Sequence, residues 1–465
     1  MKEGFLIGGG LITAGLMLEL SVGPVAWEVF AWPVNAVVLA LFLSIVVVMG
    51  LLGNKVYAFD YLTTYRAAVP AIVYAVALTI VMGLTRQTVN GTWVNNMLTF
   101  WPFVLIYVYM TVTLGLAVVK RLQHLHDWKH DIPFLLNHLG LFIALTTATL
   151  GSADMQRVKM ITAVGEPEWR VLDQQGAVHE MPLAIELKRF IMETYDSGQP
   201  RRFASDIQIL TKSGKNIVTT VDVNKPFEVE GWKIYQYGYD TQMGPMSRTS
   251  ILELISDPWL PAVYVGIYMM LAGAVCLLLM GIRKRTTVEW NTRNVVLMVL
   301  LLAIAFVAVY FFMSALRQKD LMPALQSPWF KPHVIAYIFA YSLMGAAAVI
   351  AVVGIVRRWS SSAQLGITDG LVYAGLAFIT IGMLFGALWA KEAWGHYWSW
   401  DPKETWAAIT WFAYLVYIHY RRLPNHRAQV ALWMLIACFA LLQMCWWGIN
   451  YLPSAQGSSV HVYGT

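Results

Sequence analysis

Eleven apolar runs of spanning length punctuate this 465-residue chain, and a chain so patterned has few folds open to it. They fall near 5–20, 34–53, 68–85, 99–119, 134–151, 258–281, 294–314, 333–356, 367–390, 405–420 and 429–447. About 20 helical residues cross a hydrocarbon core, and backbone in lipid must satisfy its own hydrogen bonds. The expectation is a polytopic α-helical membrane protein with about eleven transmembrane helices. The composition agrees: 58% of residues are hydrophobic and 13% charged, and the mean hydropathy is +0.56. Membrane lipid is therefore a partner, and no nucleic-acid partner is expected. The three cysteines, Cys276, Cys438 and Cys445, lie inside apolar runs and none belongs to a CxxC. That excludes a dithiol reductase and a disulfide framework. The first run is short, carries Glu19 near its end and is followed by no small-residue cleavage site, so it reads as a retained helix.

One long polar segment, 152–257, interrupts the apolar pattern. Residues 206–210 and 216–223 alternate polar with apolar, and Ser213-Gly214 and Asn224-Lys225-Pro226 are turn signals. Period-two alternation between turns signals strands and hairpins. A small β-rich domain is expected here, with one short helix near 182–195. Placing the N-terminus in the cytoplasm gives the inner loops 15 Lys and Arg against six in the short outer loops. Such a bias favours that orientation. It puts the β-rich domain, the 315–332 loop, the loop at 391–404 and the C-terminal tail together on the extracytoplasmic side.

The stretch from Trp389 to Trp411 holds Trp394, Trp398, Trp400 and Trp406 as well, around Gly395, Asp401, Pro402, Lys403 and Glu404. Such a density of rings beside charges reads either as an interfacial aromatic belt or as a platform for a flat apolar ligand. The ten histidines sort by side. His333 opens the eighth run at the outer face and His461 lies in the outer tail, so the two flank the Trp stretch in sequence. His138 and His419 lie inside spans, 13 residues from Gly151 and from Trp406 at the outer ends of their helices, or about 20 Å deep. Equal depth is what two ligands of one metal need, and ionisable groups inside a span tend to mark function. A lone histidine at a helix end more often forms a hydrogen bond than a metal bond. His124, His126 and His130 read as a solvated cytoplasmic cluster, His179 and His426 as surface residues, and His396 as a hydrogen-bonding loop residue. Imidazole is a common iron ligand, so two imidazoles about one iron amid Trp faces describe a bis-His heme site. Lys331, Lys391, Lys403 and Arg317 are candidates either for heme propionates or for plain interfacial anchoring.

The run Trp394-Gly-His-Tyr-Trp398-Ser-Trp400-Asp401-Pro-Lys403-Glu404-Thr-Trp406, continuing to His419, resembles the Trp-rich WWD signature of heme-handling proteins in cytochrome c biogenesis, in its Ccs-type (system II) form. Gln326-Ser-Pro-Trp-Phe-Lys-Pro-His333 and Val460-His461-Val-Tyr463-Gly464 resemble that family's two outer histidine regions. His138-Leu-Gly140 and Asn224-Lys-Pro226-Phe through Tyr235-Gln236 resemble the ResB-like partner component. The resemblance implies a fusion: membrane helices over 1–133, a partner-like region over 134–281, and a heme-handling domain over 282–465. It implies transport of heme b outward and its covalent attachment to the Cys-x-x-Cys-His of apocytochrome c. His138 and His419 would ligate the inner heme, and His333 and His461 the outer. Trp394, Trp398, Trp400 and Asp401 would form the outer binding surface, with Trp406 and Trp411 as supports. An extracytoplasmic thiol reductant of thioredoxin type and a location in the bacterial cytoplasmic membrane are implied too. Two other readings stay open: a heme transporter without ligation activity, and a bis-His heme b electron carrier.

Overall fold

A computed structural model describes residues 1–88, 91–284, 292–360 and 365–455. His461 and its tail motif lie outside the described residues. The helices are α1 (Lys2–Val22), α2 (Val34–Leu51), α3 (Tyr57–Leu62), α4 (Tyr65–Leu84), α5 (Trp101–Gln123) and α6 (Trp128–Gly151), then α7 (Leu260–Lys284), α8 (Thr292–Gln318), α9 (Phe330–Val356), α10 (Gly366–Trp394), α11 (Pro402–Tyr420) and α12 (Ala428–Trp446). Each of the eleven apolar runs has become a helix. Ten are long and apolar enough to cross a membrane. The one that falls short is α11, which carries Lys403, Glu404 and His419. It is nonetheless largely buried, packed against α4, α10 and α12. A polar helix survives at this depth because protein rather than lipid surrounds it.

The segment between α6 and α7 is an antiparallel sheet of eight strands in the order β5-β4-β3-β2-β1-β8-β7-β6. In chain order these are β1 (Gln156–Ala163), β2 (Pro167–Leu172), β3 (Val178–Thr194), β4 (Pro200–Thr211), β5 (Asn216–Asp222), β6 (Phe227–Val229), β7 (Trp232–Tyr239) and β8 (Thr249–Ser256). Its two roots, β1 leaving α6 and β8 returning to α7, are neighbours paired from Gln156↔Ser256 to Ala163↔Thr249. The expected short helix near 182–195 is instead the long strand β3. Leu183, Ile185 and Leu187 point inward at every second position, into a core with Ile207, Ile209 and Leu254. A register shift between Leu187 and Arg189 then turns the strand. Charged residues between the apolar ones mimic an amphipathic helix in sequence, and the sheet partners on both sides decide for strand.

The β domain, the segment before α9 and the loop between α10 and α11 all sit at one end of the bundle. Tyr195 Oη donates to the carbonyl of Leu321 at 3.1 Å, and Asn224 Nδ2 to that of Pro323 at 2.7 Å. A Cβ on Gly395 would lie 2.2 Å from Ile255 of β8. The residues after α12 reach the same end, where Ser454 Oγ donates to the Gly83 carbonyl at 2.9 Å.

Candidate functional site

At the opposite end of the bundle, α6 and α11 bring His138 and His419 together with ring centres 6.4 Å apart. Each Nδ1 faces the carbonyl four residues back on its own helix: Phe134 O at 2.9 Å for His138, Leu415 O at 2.8 Å for His419. A carbonyl only accepts, so in the neutral ring Nδ1 carries the proton and Nε2 carries the lone pair. That is the tautomer a metal-ligating imidazole requires. At the usual metal–nitrogen distance of about 2 Å, two rings held across one metal have centres about 6 Å apart. The observed spacing matches that figure. Phe134 stacks on His138 at 3.8 Å, and the Arg121 guanidinium covers the far face of Phe134 at 4.5 Å while pairing with Asp131 at 3.0 Å. Tyr65, at the start of α4, stands edge-on to His419 at 6.0 Å. Neither Tyr65 nor Phe134 carries a motif, so sequence reasoning missed both.

The other end is built on close helix contact. α10 carries Gly382 and Gly386 four residues apart, a spacing that lets two membrane helices approach closely. Side chains of α9 fill the groove. A Cβ on Gly382 would meet Tyr337 at 2.8 Å, and one on Gly386 would meet the His333 imidazole at 2.8 Å. His333 Nδ1 lies 2.7 Å from the Gly382 carbonyl, and its ring stands 5.7 Å from Trp389 and 5.0 Å from Tyr337. Trp389 Nε1 donates to the Ala324 carbonyl at 2.8 Å, and Trp329 Nε1 to Glu392 at 2.8 Å, strapping the chain before α9 onto the end of α10.

The Trp-rich loop runs from Gly395, a left-handed C-cap (φ 79°), to Asp401, the N-cap of α11. Asp401 is 7% exposed and accepts from Lys403 N–H at 2.8 Å, while Glu404 accepts from Ser399 N–H at 2.7 Å and from Asp401 N–H at 3.3 Å. The capping box holds this loop in shape, so Asp401 acts here through the cap. Trp400 takes a left-handed conformation (φ 57°), which turns its ring 5.7 Å from Trp398 and 6.3 Å from Phe103 of α5. Trp394 packs on Trp389 at 5.1 Å. Trp406 and Trp411 are buried and donate to Gly83 O at 3.4 Å and Thr380 Oγ1 at 2.9 Å, which is the support expected of them.

Lys391 departs from its candidacy as a propionate partner. Its side chain is 4% exposed, donates to Gly395 O at 2.9 Å and lies 3.8 Å from Asp257, just past β8. Burial raises the Asp257 carboxyl above the usual range, and the Lys391 charge offsets part of the rise. Lys391 thus joins the β domain to the Trp loop. Among the other histidines, His130 pairs with Asp127 at 2.6 Å and His179 with Asp173 at 2.7 Å. Among the described residues no group of three or more His, Cys, Asp or Glu is placed to hold a metal ion.

These features define a class: a multi-pass membrane protein with one extramembrane antiparallel domain resting on a Trp-rich loop. Comparison with known proteins carries this further. Residues 131–251 match the ResB-like family, and residues 259–455 match the family described as Cytochrome C assembly protein. The chain is similar to the cytochrome c biogenesis protein CcsA of Chlamydomonas reinhardtii, 33% identical over 161 residues that cover 32% of this chain and 44% of that one. It is also similar to the CcsA of Pelargonium hortorum, 33% identical over 195 residues (32% and 60% of the two chains), and to that of Oenothera argillicola, 42% identical over 108 residues (23% and 30%). Each match spans less than two thirds of the relative. A ResB-like region and a cytochrome c assembly region thus follow one another in this chain, an order that supports a ResB–CcsA fusion of the system II type. His138 lies in the ResB-like match and His419 in the assembly match, so this pair draws one histidine from each matched region.

Proposed function

We propose that this protein receives heme b between His138 and His419, passes it across the bundle to the Trp-loop end, and there attaches it to apocytochrome c. The observation that carries this reading is the convergence of the two inner imidazoles, each with its Nε2 lone pair left for iron. The outer heme is taken by His333 and by His461 of the tail, beside Trp394, Trp398 and Trp400, with Asp401 shaping the loop. The end bearing His138 and His419 is the cytoplasmic one by its excess of Lys and Arg. The N-terminus then lies in the cytoplasm, and the β domain and C-terminus lie outside it, in the arrangement of a bacterial cytoplasmic membrane protein.

The attachment is an addition. Each thiol of Cys-x-x-Cys-His adds its S–H across one heme vinyl group: sulfur bonds one vinyl carbon, hydrogen the other, and nothing is oxidised or reduced. The substrate brings its own nucleophiles, so the protein's part is to orient heme and peptide, which turns a bimolecular encounter into a positioned one. The histidine of the motif replaces one outer ligand. The chain has no CxxC, so a thioredoxin-type reductant keeps the thiols reduced. Coexpression with an apocytochrome c in a host lacking its own assembly system tests the reading. Covalent heme on Cys-x-x-Cys-His is the expected product. Heme that co-purifies but stays exchangeable would replace the synthetase with a transporter, and heme that stays put and cycles with a quinone would replace it with an electron carrier.

A further inference from the structure

Residues 1–130 lie outside both family matches, yet α4 touches both ends of the route proposed above. Its first residue, Tyr65, faces the His419 ring. In its last turn the Gly83 carbonyl accepts from Trp406 and Ser454, and a Cβ on Gly83 would meet the Trp406 indole nitrogen at 3.0 Å. Midway along α4, Ala75 and Thr79 line a cavity of about 40 Å³, shared with Tyr107 of α5, Leu145 of α6, Phe412 of α11 and Trp400 of the loop.

The spacing within the helices places that cavity. Leu145 is seven residues beyond His138, and Phe412 is seven before His419. Seven residues are close to two full turns, so each stands on the same face as its histidine, about 10 Å nearer the Trp loop. The lining offers no unmet polar group. Thr79 Oγ1 donates to the Ala75 carbonyl at 2.7 Å, and Tyr107 Oη to the Leu145 carbonyl at 2.9 Å. Below the cavity, Pro70 withholds the main-chain donor that the Arg66 carbonyl would use, and Tyr61 Oη serves that carbonyl at 3.0 Å instead.

We propose that α4 and α5 form the second wall of the heme route, and that heme passes from the inner pair to Trp400 along the seam between α4–α5 and α6–α11. This rests on the heme reading above. A cavity of about 40 Å³ is smaller than the macrocycle, so transit requires the α4–α5 pair to part from α6–α11.

The test fills the seam. In Thr79→Phe, heme remains on the inner pair with its bis-His spectrum while covalent cytochrome product falls at least tenfold. Ala77→Phe, on the exposed face of the same helix, leaves both unchanged. Should Thr79→Phe fail to accumulate in the membrane, Ala75→Leu fills less space and is read the same way. Unchanged product in the filled variants overturns the proposal, as does loss of inner heme in the filled and the Ala77→Phe variants alike. Failure of the heme reading itself looks different: the unaltered protein would then show no bis-His spectrum that His138→Gly or His419→Gly removes.

Discussion

The two ends of the bundle hold their histidines by different means. At the inner end each imidazole is oriented by its own helix, through a bond from Nδ1 to the carbonyl one turn back. At the outer end His333 is oriented by a neighbour: its Nδ1 meets a carbonyl of α10, and its ring fits where α10 has glycine. The His138–His419 pair therefore depends only on α6 and α11 facing one another through their two imidazoles. The placement of His333 needs the close fit of α9 on α10 and the straps from the preceding chain. One histidine pair is oriented by helix geometry and His333 by packing, so His333 is the easier to disturb through a neighbour.

Removing the inner pair breaks this contrast most severely. In the double variant His138→Gly, His419→Gly, product loss should exceed the ~10–100-fold typical when only a ligand's supporting partner is lost. Added imidazole should restore part of the yield in either single variant, read by heme stain and absorption spectrum. The outer site can be perturbed through its neighbour instead. Gly386→Ala drives a methyl into the His333 ring and should lower product by about tenfold while the inner spectrum persists. Gly375→Ala meets only the flexible Met344 side chain and should change little. Equal effects from the two glycine variants would remove the argument from packing.

The junction with the β domain comes next. Lys391→Met leaves the buried Asp257 carboxylate without its counter-ion and should cost up to ~3–5 kcal/mol, more than Asp257→Asn, read as a lower Tm. The sign with pH is definite. Burial already raises the Asp257 carboxyl, so its folded form favours the proton. The Lys391→Met deficit should shrink as pH falls through that raised value and be complete above it. A deficit that grows in acid would show that the pair contributes nothing at this position. The smallest effect is expected at the cap: Asp401→Ala should cost ~1 kcal/mol and leave the inner heme spectrum unchanged.

Much of this was legible in the chain. Length and hydropathy located all eleven helices, because a spanning segment has to be apolar over its whole length. The equal depth of His138 and His419 was a matter of counting residues. β3 was misread because Glu186, Lys188 and Arg189 interrupt its apolar positions with a nearly helical rhythm, and the pairing with β2 and β4 that overrides this is long-range. Lys391 was left between propionate pairing and interfacial anchoring because no local pattern foretells burial against Asp257, 134 positions earlier in the chain.

By itself the sequence determined the long apolar helices, the strand-and-turn character of the polar segment, and the two histidines at matching depth. Each follows from neighbours within a few residues or from periodicity along one element. Only the tertiary structure decided that His138 of α6 and His419 of α11 face one another, that Trp400 turns inward onto Phe103, that His333 rests on Gly386, and that α4 runs from Tyr65 at one site to Gly83 at the other. These are contacts between elements far apart in the chain. Packing selects them, and no local signal encodes which helix will be whose neighbour.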